Sequence, residues 1–382
     1  MPPMAEAVHW TTSIGEGSGM NKLGFGFLRL PQTGSKGIDW PLLEAMVDEF
    51  LARGGTYFDT AYTYLDGMSE AALKRTVVER HPRSNFQIAN KLPSWKVRHR
   101  EDCGRYFQEQ CERCGVEFFD VYLLHWLNPA NYAIAERYDE FPFLNRLKAE
   151  GRIGKTGFSY HGDAATLEKI LQAHPDVDVV QLQINYLDWD DPAMEAHLCY
   201  DIAAHYGKEI VVMEPVKGGT LADLPEEAIR LLRQAAPNES AASWAIRFSQ
   251  SLEQVRIVLS GMNTMEQIRD NMQDMPPLSP EESTLLEQVS AMIAKKTAIP
   301  CTGCRYCVKD CPKGIAIPDY FRIYNAYSRF PAEGWKMAPV YASIAQANGK
   351  ASDCIHCGTC ERNCPQQIPI SQWLEQVAKS LE

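Results

Sequence analysis

Residues 56–92 read TYFDTAYTYLDGMSEAALKRTVVERHPRSNFQIANKL. Two short runs rich in apolar and aromatic residues, TYFDTA at 56–61 and FQIANKL at 86–92, flank the amphipathic segment AALKRTVVERH. Apolar runs of this length indicate buried strands, and the segment between them has the spacing of a helix. This stretch therefore predicts a strand–helix–strand unit of a parallel sheet.

The same alternation extends from about Leu23 to Met275 and predicts eight strands. They are LGFGFLR, TYFDTA, FQIANKL, VYLLHW, KTGFSY, VVQLQINY, EIVVMEP and RIVLSG. Eight successive units predict a closed (β/α)₈ TIM barrel of the α/β class. The main alternative is an open doubly wound sheet, which usually carries G-x-G-x-x-G after its first strand. Gly24 and Gly26 are followed instead by FLRLP, so the barrel is favoured.

Composition narrows the class of protein. The 382 residues are 45% hydrophobic and 23% charged, as expected of a globular chain, and the formal net charge is -11. A negative chain without a dense basic run is a poor partner for nucleic acid. No stretch approaches the ~20 apolar residues of a membrane span, and the first residues lack an export pattern. We expect a cytoplasmic protein with neither nucleic acid nor membrane as partner.

A change of composition at DMPPLSPEE marks the end of the barrel. Three prolines interrupt the chain there, and Ser279 with Glu282 forms a capping box that opens another helix. We therefore predict a barrel over 1–278, a linking helix over 279–299 and a smaller, mainly α-helical ferredoxin-like domain over 300–382.

Two cysteine runs carry the strongest motif of the sequence. Both read C-x₂-C-x₂-C-x₃-C-P and both are followed by I-x-I. Three close thiolates can hold three corners of a [4Fe–4S] cluster, while the fourth cysteine of each run typically ligates the other cluster. We predict two such clusters, held by Cys301, Cys304, Cys307 and Cys364, and by Cys354, Cys357, Cys360 and Cys311.

This pattern resembles a two-cluster bacterial ferredoxin, with 42 residues between the runs in which we expect an inserted helical hairpin. Structural zinc is the alternative, although zinc sites usually show two separated C-x-x-C pairs. The remaining cysteines are Cys103, Cys111, Cys114 and Cys199. Cys111 and Cys114 lie one helical turn apart and could form a redox pair, but buried inert thiols are expected.

Four polar residues fall at or just after the ends of predicted strands, where barrel enzymes place their chemistry. They are Asp59, Tyr64, Lys91 and His125. A tyrosine hydroxyl, with a pKa of ~10, becomes a usable acid when a cation such as Lys91 stabilises the phenolate. Asp59 would keep Lys91 charged, and His125 could hydrogen-bond a substrate oxygen.

The segments FDTAYTY, GMSEAAL, ANKLPSW, LLHW and GMNTMEQIRDN resemble the aldo/keto reductases over roughly residues 20–275. With its tail, the chain is similar to the ferredoxin-domain type of that family. The resemblance implies a carbonyl reductase in which Tyr64 protonates the substrate oxygen and NAD(P)H supplies hydride. It also implies cofactor contacts at Ser159, Gln183, Gly218, Gly261, Asn263, Thr264, Gln267 and Asn271.

The cofactor side departs from the family pattern at three positions. Gln267 takes the place of an arginine that often grips the 2′-phosphate, Met213 that of a stacking aromatic, and Tyr160 that of an asparagine. These departures keep NAD(P)H binding an expectation. Trp95, Trp126 and Trp189 are candidates to line the substrate pocket.

Three functional hypotheses stay open because nicotinamide transfers two electrons as hydride, whereas each cluster carries one. The chain can be a carbonyl reductase whose clusters are structural or regulatory. It can instead be a reductase in which a ferredoxin or flavoprotein feeds single electrons through the clusters. The third hypothesis is a non-catalytic electron-transfer subunit.

Overall fold

The computed structural model describes residues 22–34, 37–191, 194–294, 298–299, 301, 305–329, 334–364 and 368–382. Eight parallel strands close into a barrel in which each pairs with the next along the chain and the last with the first. They are β1 (Leu23–Gly26), β2 (Tyr57–Asp59), β3 (Gln87–Pro93), β4 (Phe119–Leu127), β5 (Ile153–Tyr160), β6 (Val179–Gln183), β7 (Glu209–Met213) and β8 (Val255–Ser260). The predicted TIM barrel is confirmed, and the open sheet is excluded.

Helices alternate with these strands. They are α1 (Trp40–Ala52), α2 (Met68–Leu73), α3 (Arg100–Cys114), α4 (Pro129–Arg137), α5 (Glu140–Ala149), α6 (Ala164–Ala173), α7 (Ala196–His205), α8 (Glu226–Ala235), α9 (Ala241–Ser251) and α10 (Met265–Asn271). Side-chain caps explain where three of these helices start. Asp39, Asn128 and Asp163 each accept a hydrogen bond from a backbone N–H of the first turn of α1, α4 and α6. Within the described ranges, no helix combines the length and apolar character needed to cross a membrane.

Two apolar layers hold the barrel together. The interior is filled by buried residues from six strands, namely Tyr57, Ala89, Val121, Leu123, Val179, Val211 and Leu259. Outside the strands, Phe58 lies at the centre of an aromatic cluster. Its ring centroid is 5.3 Å from that of Phe50, 5.7 Å from Phe27, 6.2 Å from Phe25 and 6.3 Å from Phe86.

The chain leaves the barrel through the predicted capping box. The Glu282 carboxylate accepts from the Ser279 N–H at 2.8 Å, and the Ser279 hydroxyl accepts from the Glu282 N–H at 3.2 Å. Helix α11 (Pro280–Ala294) begins there. The buried Arg247 guanidinium pairs with Glu282 and with Glu239. These contacts fix where α11 starts.

The described chain divides into two compact units. One ends at Leu224 and resumes over Leu232–Ser283, and the other comprises Pro225–Leu231 and Thr284–Glu382. The boundaries at 278 and 300 inferred from the sequence remain predictions.

The tail is mainly helical. It contains α12 (Tyr306–Lys309), α13 (Ile317–Arg329), α14 (Gly334–Ala345), α15 (Thr359–Arg362) and α16 (Ile370–Leu381). Helices α13 and α14 occupy the segment between the cysteine runs, where a helical hairpin was expected, and the Tyr320 and Tyr341 rings pack 4.5 Å apart. Both I-x-I pairs enter one buried apolar core. The repeated motif thus supplies matching core residues as well as thiols.

We predict that Phe58→Ala lowers the free energy of unfolding of the barrel by about 3–5 kcal/mol, because it empties the centre of the aromatic cluster. Urea denaturation followed by far-UV circular dichroism measures the change. The control is Leu198→Ala, at a side chain that is 55% exposed, which should shift the unfolding free energy by less than about 0.5 kcal/mol. Equal effects of the two substitutions would contradict this account of the core.

Candidate functional site

The predicted catalytic residues meet at one rim of the barrel. Side chains alternate along a strand, so residues two positions beyond the interior layer also face the barrel axis. Asp59, Lys91 and His125 occupy such positions on β2, β3 and β4. Tyr64 opens a 3-10 turn, Tyr64–Gly67, in the loop after β2. The closed sheet therefore brings together residues that are up to 66 positions apart.

A buried ion pair joins Lys91 to Asp59. The Lys91 Nζ lies 2.5 Å from Asp59 Oδ1 and donates to the Thr60 carbonyl oxygen at 2.8 Å. The Lys91 side chain is 0% exposed and that of Asp59 3%. Burial raises the pKa of Asp59 and lowers that of Lys91, while the attraction between the two groups opposes both shifts. The pair fixes the ammonium group inside the rim.

The Tyr64 ring lies beside this ammonium group, with its centroid 4.9 Å from Lys91 Nζ. Burial raises the pKa of Tyr64 well above its usual value, and the charges of Asp59 and Glu214 raise it further. The net shift is therefore upward, opposite to the lowered pKa that the Lys91 charge alone would produce. Asp59 offsets the Lys91 charge, and burial disfavours the phenolate. Tyr64 keeps its proton at neutral pH and can act as a donor.

His125 is neutral at neutral pH. Burial lowers its pKa well below the usual value, and the positive charge of Lys91 adds to the effect. Its Nδ1 is buried and has no hydrogen-bond partner among the described residues. The Tyr64 and His125 ring centroids are 5.7 Å apart. A neutral imidazole there can donate one hydrogen bond to a substrate oxygen without giving up a proton.

Two of the three candidate tryptophans lie beside His125. The Trp95 ring centroid is 5.2 Å from that of His125 and 4.5 Å from that of Trp126. Trp189 instead stacks on His197, with ring centroids 4.3 Å apart. Trp95 and Trp126 thus form an aromatic wall next to the candidate catalytic groups, whereas Trp189 packs elsewhere.

A buried polar network behind Lys91 was missed in the sequence. The Asn90 side-chain oxygen accepts from the Lys91 N–H at 2.8 Å and from Gln110 Nε2 at 2.6 Å, and Gln110 Nε2 also donates to the Lys91 carbonyl oxygen at 3.1 Å. Asn90 Nδ2 donates to Glu70 at 2.9 Å, and the Tyr122 hydroxyl donates to Gln110 at 2.5 Å. Both main-chain polar groups of Lys91 are thus held by side chains.

Ser159, a predicted cofactor contact, faces a second residue that the sequence analysis missed. It pairs with Gln181 across β5 and β6. Ser159 Oγ and Gln181 Oε1 are buried and have no hydrogen-bond partner within the described chain, while Gln181 Nε2 donates to the Met213 sulfur at 3.5 Å. A hydroxyl and an amide oxygen together can serve a ligand that both donates and accepts.

Other predicted cofactor contacts bond to neighbouring protein groups. Gln183 Nε2 donates to Asp188 at 3.0 Å, and Asn271 Nδ2 donates to the Ser260 hydroxyl at 3.0 Å. Tyr160, which was not a predicted contact but a departure from the family pattern, donates its hydroxyl to the Asp163 carbonyl oxygen at 2.6 Å. These side chains are held in place by the fold itself.

The loop after β8 is folded on itself. Thr264 caps α10 by accepting from the Gln267 N–H at 3.2 Å, and Gln267 Oε1 accepts from the Asn263 N–H at 2.7 Å. At Gly261 an added Cβ would lie 3.2 Å from Arg29, and at Gly218, which has a φ of 66°, it would lie 3.2 Å from the same side chain. The two glycines let Arg29 lie close to both loops.

Arg29 lies beside the loops of Gly218 and Gly261 and was not singled out in the sequence. Its guanidinium lies 3.3 Å from a Glu214 carboxylate oxygen, and both side chains are partly exposed. An exposed pair of this kind contributes little to stability. Arg29 can therefore exchange Glu214 for another anion at small cost.

In the tail, four cysteines line one cavity. Its lining includes Cys311 together with Cys354, Cys357 and Cys360. These are the four residues that the sequence assigned to one cluster, with Cys311 crossing over from the other run. The apolar residues Ile315, Ile317 and Leu374 line it as well. Four thiols that line one cavity, together with apolar side chains, suit a [4Fe–4S] cluster.

The other predicted set is described in part. Cys301, Cys307 and Cys364 contribute to the same apolar core of the tail, and Cys304 lies outside the described residues. The cysteines of the barrel are buried. Burial raises the pKa of Cys103 and of Cys199 to about 12, and raises those of Cys111 and Cys114. Burial and the raised pKa values disfavour the thiolate form of these cysteines, which agrees with the expectation of inert thiols.

Comparison with known families assigns the barrel region and the tail to two different families. Residues 22–291 match the profile of the aldo/keto reductase family, an oxidoreductase family. Residues 300–368 match a 4Fe–4S dicluster domain. The two-cluster prediction is thereby supported over structural zinc.

Individual relatives are distant. Aldo-keto reductases of two Mycobacterium strains, KMS and JLS, are each 26% identical over 148 residues, which cover 38% of this chain and 48% of theirs. The chain thus spans about half the length of these curated relatives.

Solved structures share the barrel fold. An aldo-keto reductase from Bacillus halodurans in its holo form aligns with a TM-score of 0.57 and 22% identity over 70% of this chain and 91% of that chain. One from Klebsiella pneumoniae, described as a complex with NADPH, aligns with a TM-score of 0.56 and 17% identity over 70% and 90%.

We predict that the Lys91–Asp59 pair shows strong coupling in a double-mutant cycle. Asp59→Asn or Lys91→Met alone leaves one buried charge unpaired and should lower the unfolding free energy by about 3 kcal/mol or more. The double variant should recover much of this loss. Urea denaturation of all four proteins gives the coupling. Additive single effects would show that the pair is not a buried ionic interaction.

We predict that Glu140 makes the barrel less stable as pH rises from about 4.5 to 7. Its carboxyl is fully buried, accepts from the Ser94 hydroxyl at 2.6 Å, and has its pKa raised by burial to about 7. The unfolded chain releases this proton first, so the unfolding free energy falls through this range. Glu140→Gln should remove this slope and stabilise the protein at pH 8 by about 2–3 kcal/mol.

The matched control for Glu140→Gln is Glu168→Gln, at an exposed position on α6. It should leave the pH dependence of stability unchanged. Parallel stability curves for the wild-type and Glu140→Gln proteins between pH 5 and 8 would refute the role of Glu140.

Proposed function

Because the chain belongs to the aldo/keto reductase family and carries a 4Fe–4S dicluster domain, we propose that it reduces an aldehyde or ketone with NAD(P)H. The observation that carries the proposal is the meeting of Tyr64, Lys91, Asp59 and His125 at one rim of the barrel. The Klebsiella neighbour, which binds NADPH, supports the choice of cofactor.

The proposed chemistry divides between cofactor and protein. When bound, NAD(P)H would supply hydride to the carbonyl carbon. Tyr64, protonated because of its burial, gives its proton to the carbonyl oxygen as negative charge develops there. Lys91, 4.9 Å from the Tyr64 ring, stabilises the phenolate that remains. The neutral His125 donates a hydrogen bond to the same oxygen and orients the substrate.

We assign the nicotinamide carboxamide to Ser159 and Gln181, because their two unpartnered buried polar atoms lie opposite each other on adjacent strands. We assign the phosphates to the loops that contain Gly218 and Gly261–Thr264. Three further side chains would shape this site. Gln267 accepts from the Asn263 N–H, Gln183 donates to Asp188, and Asn271 donates to Ser260.

A second function is favoured by the dicluster domain. The clusters would pass single electrons from a ferredoxin or flavoprotein to the barrel site, where a carbonyl takes up two electrons and two protons. Tyr64 would again donate a proton. The departures at Gln267, Met213 and Tyr160 support this alternative because they weaken the likeness to the nicotinamide-binding family pattern.

A purely electron-transferring role without catalysis is disfavoured. Burying a lysine and an aspartate costs several kcal/mol per ion before pairing, and a docking scaffold has no use for such a pair beside a buried tyrosine and histidine. The buried set is best explained by catalysis.

We predict that Tyr64→Phe reduces NAD(P)H-dependent carbonyl reduction at least about 100-fold, because it removes the proton donor. The assay follows nicotinamide absorbance anaerobically with a panel of aldehydes and ketones. Cofactor binding, measured by fluorescence titration, should be unchanged. The control is Tyr62→Phe, in the same loop, whose hydroxyl bonds to Glu109 and Arg113 outside the rim and should not be needed for turnover.

The same assay separates the two candidate functions. Nicotinamide consumption that requires a carbonyl, with clusters that stay oxidised, establishes the hydride route. Failure to consume either nicotinamide, together with reoxidation of dithionite-reduced clusters by one of the carbonyls, would replace it with the one-electron route.

A further inference from the structure

A second histidine lies at the barrel rim beside His125. His161 directly follows β5, and its N–H donates to the Leu127 carbonyl oxygen at 2.8 Å. Side chains alternate along an extended strand, so His161 lies on the same face of the sheet as Ser159, two residues earlier. The register of β4 and β5 sets His125 nearly level with Ser159. His161 therefore lies roughly 7 Å beyond His125 along the strand direction.

The Trp126 indole contacts both imidazoles. Its ring centroid is 5.9 Å from that of His125 and 6.2 Å from that of His161. Trp95 extends the same wall, with its ring centroid 4.5 Å from that of Trp126, and both tryptophans are partly exposed. Aromatic side chains with a few polar groups among them are typical of small-molecule sites. The rim thus offers an apolar surface with one imidazole beside the candidate catalytic groups and another further out.

The His161 ring is available to a ligand. Within the described chain it contacts Trp126 and forms no ion pair or side-chain hydrogen bond. Although solvent reaches the residue, the surrounding protein desolvates the imidazole and lowers its pKa to about 4. The ring is therefore uncharged at neutral pH and offers one N–H donor and one nitrogen acceptor.

The position of His161 limits the chemistry that it can recognise. An uncharged imidazole pairs with a hydroxyl or a carbonyl oxygen and provides no charge for a carboxylate. The step from His125 to His161 is comparable to the length of a benzene ring that carries substituents at opposite ends. Such a ring would pack against the Trp126 indole.

We propose that His161 is a specificity-determining residue that hydrogen-bonds an uncharged polar group at the end of a planar substrate opposite the reacting carbonyl. The substrate class is an aromatic aldehyde or ketone with a hydroxyl or carbonyl oxygen remote from the carbon that is reduced. His161 takes no part in proton or hydride transfer. The inference rests on the proposed function, because it takes the barrel rim as the site of carbonyl reduction.

The test compares three para-substituted benzaldehydes on the full-length holoenzyme, purified anaerobically. The hydroxymethyl compound offers a hydroxyl, the ethyl compound has nearly the same shape without it, and the carboxy compound carries a negative charge. With NADPH, the wild-type protein should have a higher kcat/KM for the hydroxymethyl than for the ethyl compound. His161→Phe should lower the ratio of these two values about fivefold, because one hydrogen bond is lost. The change should lie chiefly in KM for the hydroxymethyl compound.

Two further variants test whether the effect is specific. His161→Asn keeps a donor and an acceptor near the same place and should retain most of the wild-type ratio. His205→Phe makes the same change as His161→Phe at an exposed position at the C-terminal end of α7, on the barrel face opposite the carboxyl ends of the strands. It should leave the ratio unchanged. A ratio compares two substrates on one protein, so a loss of active protein cancels.

Binding separates the inference from the proposed function. Isothermal titration calorimetry with the same aldehydes and NADP⁺, without a reductant, gives Kd in the absence of turnover. His161→Phe should reduce the preference in Kd for the hydroxymethyl compound by the same factor. A Kd ratio that changes in this way, in a protein that never consumes nicotinamide, would refute the hydride mechanism and leave the role of His161 standing.

Three results overturn the inference. The first is an equal ratio in the wild-type and His161→Phe proteins, which leaves the proposed function intact if reduction of the ethyl compound still depends on Tyr64. The second is a wild-type protein that shows no preference for the hydroxymethyl over the ethyl compound in either kcat/KM or Kd. The third is a preference for the carboxy compound that His161→Phe abolishes, since this would show that the His161 imidazole is charged.

Discussion

The buried pair between Lys91 and Asp59 is the interaction on which the candidate active site depends. Two opposite charges inside a barrel are tolerated only when they are in contact and their remaining hydrogen-bonding groups are satisfied. The contact at 2.5 Å and the bond to Thr60 meet most of that requirement. The protonated state of Tyr64 and the neutral state of His125 follow from the same burial and from the charges of this pair.

Much of this arrangement could be predicted from the sequence because it follows from strand periodicity. The eight apolar runs predicted the barrel. The positions of Asp59, Lys91 and His125 at the ends of predicted strands indicated that they lie at one rim. Gln110 was missed because α3 reads as a polar helix, although Gln110 lies on the stripe of buried positions that includes Cys103, Phe107 and Cys114. Gln181 was missed because the run VVQLQINY offers two glutamines, and only strand register shows which one faces Ser159.

The pKa of Tyr64 was mispredicted for a different reason. The sequence indicates that Lys91 lies near Tyr64. It does not show that Asp59 offsets the charge of Lys91 or that the Tyr64 ring is buried. Electrostatics depends on distance and desolvation, which sequence spacing does not contain. The cysteine pairing stays a prediction from the ligand spacing, and the cavity lined by Cys311, Cys354, Cys357 and Cys360 agrees with it for one of the two sets.

The crossing of Cys311 into the cavity of Cys354, Cys357 and Cys360 has a consequence for how the tail is assembled. A cluster bound there would act as an inorganic cross-link that closes a loop of the 42 residues between Cys311 and Cys354, which include helices α13 and α14. Closing a loop of this size removes enough chain entropy from the unfolded state to stabilise the fold by about 4 kcal/mol. Insertion of iron and folding of the tail are then one coupled event, and a chelator that strips the cluster would also release the hairpin.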